Sequence, residues 1–187
     1  MGRIEELADK YAQHISTPWQ TNIAGAQRVI MIVYDKELER TLRARKLAFE
    51  TATRDSGHDW KEVDVSGVFA TWIANDEYRE AYFESPEDLQ LKLEAKFADV
   101  VADHIRATLT LPEVTKNSVV AIVGVGALFG FTRLSKVLKL IETDILGRLL
   151  IFFPGQYDRN NYRLLDARDG WNYLAVPITL HGTGSGL

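Results

Sequence analysis

Three short runs constrain this chain more than anything else in it: Val29-Ile-Met-Ile-Val-Tyr34, Ser118-Val-Val-Ala-Ile-Val123 and Leu149-Leu-Ile-Phe-Phe153. None alternates apolar with polar residues, as a strand with one face in water must. Such runs suit strands covered on both faces, the situation of a parallel sheet with helices above and below it. The segments between them carry helical periodicity. Ile4, Leu7, Ala8, Tyr11 and Ile15 predict a first helix ending before Pro18, and Leu38, Leu42, Phe49 and Ala52 a second, with Asp35 placed to cap it. Val63–Val65 reads as a short strand at an edge, followed by helical pieces at Val68–Ile73 and Tyr78–Phe83.

Ser85-Pro86-Glu-Asp88 is a strong helix start. Behind it Leu89, Leu93, Phe97, Val101, Ile105 and Leu109 form a stripe at four-residue steps. A further helix carries Leu134, Val137, Leu138, Ile141 and Ile145, with Gly147 at its C-cap. Pro154-Gly155 should close the strand that follows. Tyr162–Leu165 and Tyr173–Ile178, on either side of Asp166-Ala-Arg-Asp-Gly170, read as a hairpin at one edge of the sheet. The expected fold is therefore α/β: a single-domain layered sandwich over residues 1–180, with a mostly parallel central sheet flanked by helices and a C-terminal hairpin at one edge. Residues 181–187, glycine-rich, are expected to be a flexible tail.

Composition narrows the chemistry. The 187 residues include no cysteine, which removes disulfides, thiolate nucleophiles and sulfur-ligated metal sites. The net charge is −4, and the densest basic cluster, Arg40, Arg43, Arg45 and Lys46, shares its helix with Glu37, Glu39 and Glu50. Mixed signs at helical spacing mark a solvated face, so autonomous nucleic-acid binding is not expected. No apolar run approaches a membrane span, and acidic Glu5 and Glu6 stand where a signal peptide would be basic, so the expected location is the cytoplasm.

Ligands of open parallel sheets collect at the carboxyl ends of the strands. There lie Asp35, Ser66-Gly67, the glycine loop Gly124-Val-Gly126-Ala-Leu-Phe-Gly130-Phe-Thr-Arg133, and Pro154–Tyr157. Gly124, Gly126, Gly130 and Arg133 form a candidate anion site, as in a degenerate phosphate loop. The loop departs from both nucleotide fingerprints. Four spacers after Gly124 come Phe129-Gly130-Phe131 in place of Gly-Lys-Ser/Thr, and Phe129 occupies a position that a dinucleotide fold gives to glycine. The other reading is that these glycines serve tight turns and close packing. Asp99, Asp103 and His104 lack metal-site spacing, and Asp166 with Asp169 reads as turn chemistry rather than an acid pair. No metal, cofactor or catalytic residue is expected. A hydrolase using Asp35 or Ser66 is the remaining enzymatic reading.

Tyr157, Tyr162, Trp171 and Tyr173 stand among Arg159, Arg163 and Arg168. Tyrosine, tryptophan and arginine dominate protein-binding hot spots, which makes Tyr157, Arg159, Arg163, Arg168 and Trp171 candidate partner-binding residues. Equally, some of the rings could cover the edge of the core.

From Val119 to Tyr173 the order of motifs resembles the BrxB family, a small component of BREX (bacteriophage exclusion) systems. The motifs are a strand ending in Gly124-Val-Gly126, then an aromatic and Arg133 before a leucine-rich helix; Phe152-Phe-Pro-Gly-Gln-Tyr157; Arg163-Leu-Leu-Asp166; and Asp169-Gly-Trp-Asn-Tyr173. The N-terminal half agrees in outline. Gly130 replaces an expected proline, Gln156 a glutamate, and Leu174-Ala-Val-Pro177 a tyrosine- and arginine-rich ending, which marks a divergent branch. The resemblance implies an accessory role in phage defence beside a PglZ-type alkaline-phosphatase-like protein, an ATPase and an adenine methyltransferase. The PglZ-type protein is the expected partner. The family brings no catalytic motif to carry over.

Overall fold

The computed structural model describes residues 2–168 and 170–180. The elements are helix α1 (Arg3–Ile15), strand β1 (Val29–Tyr34), helices α2 (Glu39–Arg45) and α3 (Leu47–Asp55), strand β2 (Asp59–Asp64), and helices α4 (Val68–Ala74), α5 (Arg79–Glu84) and α6 (Pro86–Lys92). A π turn (Leu93–Phe97) leads into α7 (Ala98–Leu109). Strand β3 (Ser118–Val123), helix α8 (Leu134–Ile141) and strands β4 (Arg148–Asp158), β5 (Asn161–Leu164), β6 (Trp171–Asn172) and β7 (Val176–Ile178) complete the chain.

The sheet order is β2-β3-β4-β1-β7, parallel throughout, with β5 and β6 added antiparallel off the far end of β4. The three apolar runs are thus the adjacent central strands. Their missing alternation has a direct cause. Val29, Met31 and Val33 enter one hydrophobic cluster with α7 and α8, while Ile30, Ile32 and Tyr34 enter another with α1 and α3. Strands β3 and β4 divide in the same way, so every position of β3, and of β4 as far as Gly155, is interior.

Several local expectations need correction. Neither Asp35 nor Ser85 makes a side-chain cap; Asp35 instead meets Arg3 at 3.6 Å, and at Ser85 the carbonyl receives the Asp88 N–H. The stripe from Leu89 to Leu109 is not one α-helix. Steps of four residues overshoot a 3.6-residue turn by roughly 40° each, so a long stripe of them would wind off the core. The π turn widens the helix once and brings Phe97, Val101, Ile105 and Leu109 back to the buried side. Gly147 is not a C-cap either. Helix α8 stops at Ile141, and Gly147 lies so close to the Ser118 backbone that any Cβ would collide with its carbonyl.

Pro154-Gly155 does not end β4. The strand runs on to Asp158, exchanging parallel neighbours for the antiparallel β5, and the Pro154 carbonyl accepts the Leu165 N–H at 2.9 Å. The tight turn is at Arg159-Asn160, both at positive φ (47° and 67°), the signature of a two-residue hairpin. The loop Asp166–Gly170 does join antiparallel segments, β5 and the two-residue β6. Tyr173–Ile178 does not continue that hairpin, because β7 leaves it to pair parallel with β1. The sheet edge beside β1 is therefore β7, not the hairpin. Asp169 and the expected tail 181–187 lie outside the described residues.

Candidate functional site

Because β1 to β4 run parallel, their carboxyl ends share one side of the sheet. A crevice of about 250 Å³ opens there, lined by Lys36, Arg43, Ser66, Gly124, Gly126 and Pro154. Gly124 makes the crevice possible. Its φ is +85°, and a Cβ on it would lie 2.7 Å from Asp64 Oδ1 and 2.9 Å from the Ser66 nitrogen. At Gly126 a methyl would meet nothing closer than 3.6 Å; Gly130 takes φ +81° in open space.

The charges around this crevice are already committed. Lys36 pairs with Asp166, and Arg43 Nε donates to Glu39 at 2.8 Å. Glu39 also accepts the Tyr34 hydroxyl at 2.5 Å, and burial together with that carboxylate pushes the phenol far up. Burial alone would raise the Asp64 carboxyl. Hydrogen bonds from Ser66 and the charges of Arg43 and Lys46 outweigh it and hold the group below the usual carboxylate range. His104 Nε2 lies 3.0 Å from the Asp64 carbonyl oxygen, on the main chain rather than on Ser66. Among the described residues, then, no imidazole is hydrogen-bonded to the Ser66 hydroxyl. Among the described residues, no three His, Asp or Glu side chains gather as a metal site.

The four expected anion-site residues do not meet. Gly124 and Gly126 line this crevice, while Gly130 and Arg133 belong to a second, larger cleft. The 3₁₀ turn Val125–Leu128 carries the chain from one to the other, and Arg133 becomes the exposed residue ahead of α8. That cleft, about 590 Å³, lies between the π turn, the segment Phe129–Lys136 and the segment Leu164–Trp171.

The C-terminal cluster divides between packing and surface. Tyr162 is fully buried and its hydroxyl donates to the Ala175 carbonyl at 3.1 Å; Tyr173 is buried and bonds Glu142 at 2.5 Å. Trp171 is half-buried, its ring 5.3 Å from Tyr162 and edge-on to Phe153 at 6.0 Å. Tyr157, also half-buried, leans on Tyr162 at 4.8 Å and donates to Asn160 Oδ1 at 3.0 Å. Tyr157 and Trp171 are therefore each part packing and part surface. Arg159, Arg163 and Arg168 are exposed, Arg163 because alternation on β5 turns Tyr162 and Leu164 inward. Sequence reasoning missed Lys36, Arg43 and Asp64 at the crevice, and Phe129 and Lys136 at the cleft. The signal for Phe129 was present: an aromatic beside Gly130, 46% exposed at the tip of the loop.

No curated protein and no solved structure matches the chain. Among the described residues no helix is long and apolar enough to cross a membrane. The family model described as BREX protein BrxB matches residues 61–178, well over half of the chain. That stretch runs from within β2 to the last residue of β7. It takes in the glycine turn, the helix behind Arg133, and the β4–β6 unit, which carried the resemblance in the sequence. On that match, the chain belongs to the BrxB family of BREX proteins.

Proposed function

We propose that this BREX phage-defence component is a non-enzymatic accessory subunit, and that it holds a larger protein of the same system through the β4–β6 unit. A PglZ-type protein is the first candidate for that partner. The observation that carries the reading is the pairing of a braced scaffold with free charge. The hairpin is fixed by Tyr157, Tyr162 and Trp171 packed on one another, while Arg159, Arg163 and Arg168 project with no acidic partner among the described residues. Arginine held on a rigid aromatic base is the usual material of a binding hot spot, because little side-chain freedom is lost on docking.

The test is co-purification with a PglZ-type protein of the same BREX system. Arg159→Ala with Arg163→Ala removes two exposed side chains and no packing, so the variant should stay folded. Affinity should fall by at least about 2 kcal/mol if these are anchors. Full affinity in the folded variant would move the interface elsewhere. A second reading, nucleotide or phosphate at the glycine loop, is favoured by the position of the Gly124 crevice at the strand ends. A rise in melting temperature with nucleotide, lost on substituting Lys36, would support it.

A further inference from the structure

Arginines in this fold fall into two groups. Arg3, Arg43, Arg45, Arg54, Arg79 and Arg106 each meet a carboxylate, and Arg28 and Arg148 donate to main-chain carbonyls. Arg133, Arg159, Arg163 and Arg168 have no such partner among the described residues, nor does Arg40 on α2. Two of these, Arg133 and Arg168, line the 590 Å³ cleft. Lys136 joins them there, its ammonium bonded to the Glu94 main-chain carbonyl at 3.2 Å. The cleft has an apolar floor of Leu93, Leu134 and Leu164, with Phe129 and Trp171 also in its lining. Its volume suits a few side chains rather than a domain face.

We propose that this cleft seats an acidic segment of the protein partner, with carboxylates on Arg133 and Arg168 and an apolar side chain between Phe129 and Trp171. The proposal rests on the reading of the chain as a partner-binding subunit and assigns that partner's chemistry. Guanidinium groups with no carboxylate partner among the described residues, placed around an apolar hollow, complement carboxylates flanking an apolar anchor. A nucleic-acid strand fits less well. It would need cations tracking a groove, whereas here Arg133, Lys136 and Arg168 converge on one hollow that also holds Glu94.

The experiment uses the full chain and three fluorescein-labelled probes followed by anisotropy. One is a twelve-residue peptide of Glu and Asp around one Leu and one Trp; the others are its Gln/Asn counterpart and a twelve-nucleotide single strand. The acidic peptide should bind best and weaken with added salt. Arg133→Glu with Arg168→Glu should cost about 30-fold or more in affinity, and Phe129→Ala about tenfold. Arg133 precedes a helix, where an acidic side chain is tolerated, so the reversal should leave the fold intact. Arg40→Glu, an exposed cation outside the cleft, should change nothing. Equal binding of the neutral peptide, or tighter binding of the oligonucleotide, overturns the proposal. So does self-association of the wild type that the double reversal abolishes, since the occupant would then be a second copy. Retained PglZ-type binding in the double reversal, with loss in the Arg159/Arg163 variant, sinks the cleft and keeps the subunit reading. Cleft-dependent peptide binding without any PglZ-type binding does the reverse.

Discussion

Gly124 shows how much one residue can decide. Its left-handed backbone lets β3 end and the chain turn under Asp64 and Ser66, and the same turn makes the crevice. Alanine there must accept an unfavourable φ, about 1–2 kcal/mol, and push against the Ser66 main chain, which cannot rotate away. We expect Gly124→Ala to lose about 2–4 kcal/mol in urea denaturation. Gly130→Ala carries the φ penalty without the clash and should lose about 1 kcal/mol. Gly126→Ala meets ordinary contacts and should be nearly neutral. Equal stability in the Gly124 and Gly126 variants would mean that the turn is not held as described. That glycines cluster here was legible in the sequence. Which of them is indispensable was not, because the clash comes from a strand distant in sequence.

At the scale of elements, the parallel core was readable because burial on both faces writes itself into unbroken apolar runs. The β4–β5 hairpin was not. Its turn is Arg159-Asn160 rather than a glycine pair, and β4 runs through Pro154, which sequence rules take as a stop. Pro154 is tolerated because the strand is changing neighbours there and its carbonyl, not its missing N–H, makes the bond to Leu165. The long stripe behind Leu89 likewise hides its π turn, since periodicity reveals which residues are buried but not how the helix accommodates them. The hairpin yields a prediction in which stability and binding move in opposite directions. Arg159 sits at φ 47°, which asparagine accepts more readily than arginine. Arg159→Asn should therefore raise stability by about 0.5–1 kcal/mol while weakening attachment of the partner. Thermal melts and co-purification on the same variant check both signs, and a simultaneous loss of both would mark Arg159 as a packing residue.

Across the whole molecule, the family match and the folding unit do not coincide. The match begins at residue 61, yet β1 lies between β4 and β7 and supplies alternate residues to both hydrophobic clusters. Helices α1 and α3 cover the second cluster, with Tyr11 donating or accepting a buried hydrogen bond to Thr53 at 2.7 Å. Residues 61–180 alone would expose the apolar face of β4 that α1 and α3 cover, and would leave β7 with no neighbour. Neither defect can be repaired by the segments that remain, since α7 and α8 are already engaged with the first cluster. The fragment should therefore fail to give a cooperative unfolding transition, whereas the full chain gives one. Adding residues 1–60 as a separate polypeptide should restore a folded complex, because β1 then regains β4 and β7 as hydrogen-bonded neighbours. A cooperatively folding 61–180 fragment would show instead that the matched stretch is a domain in itself, and that the N-terminal third is an addition packed against it.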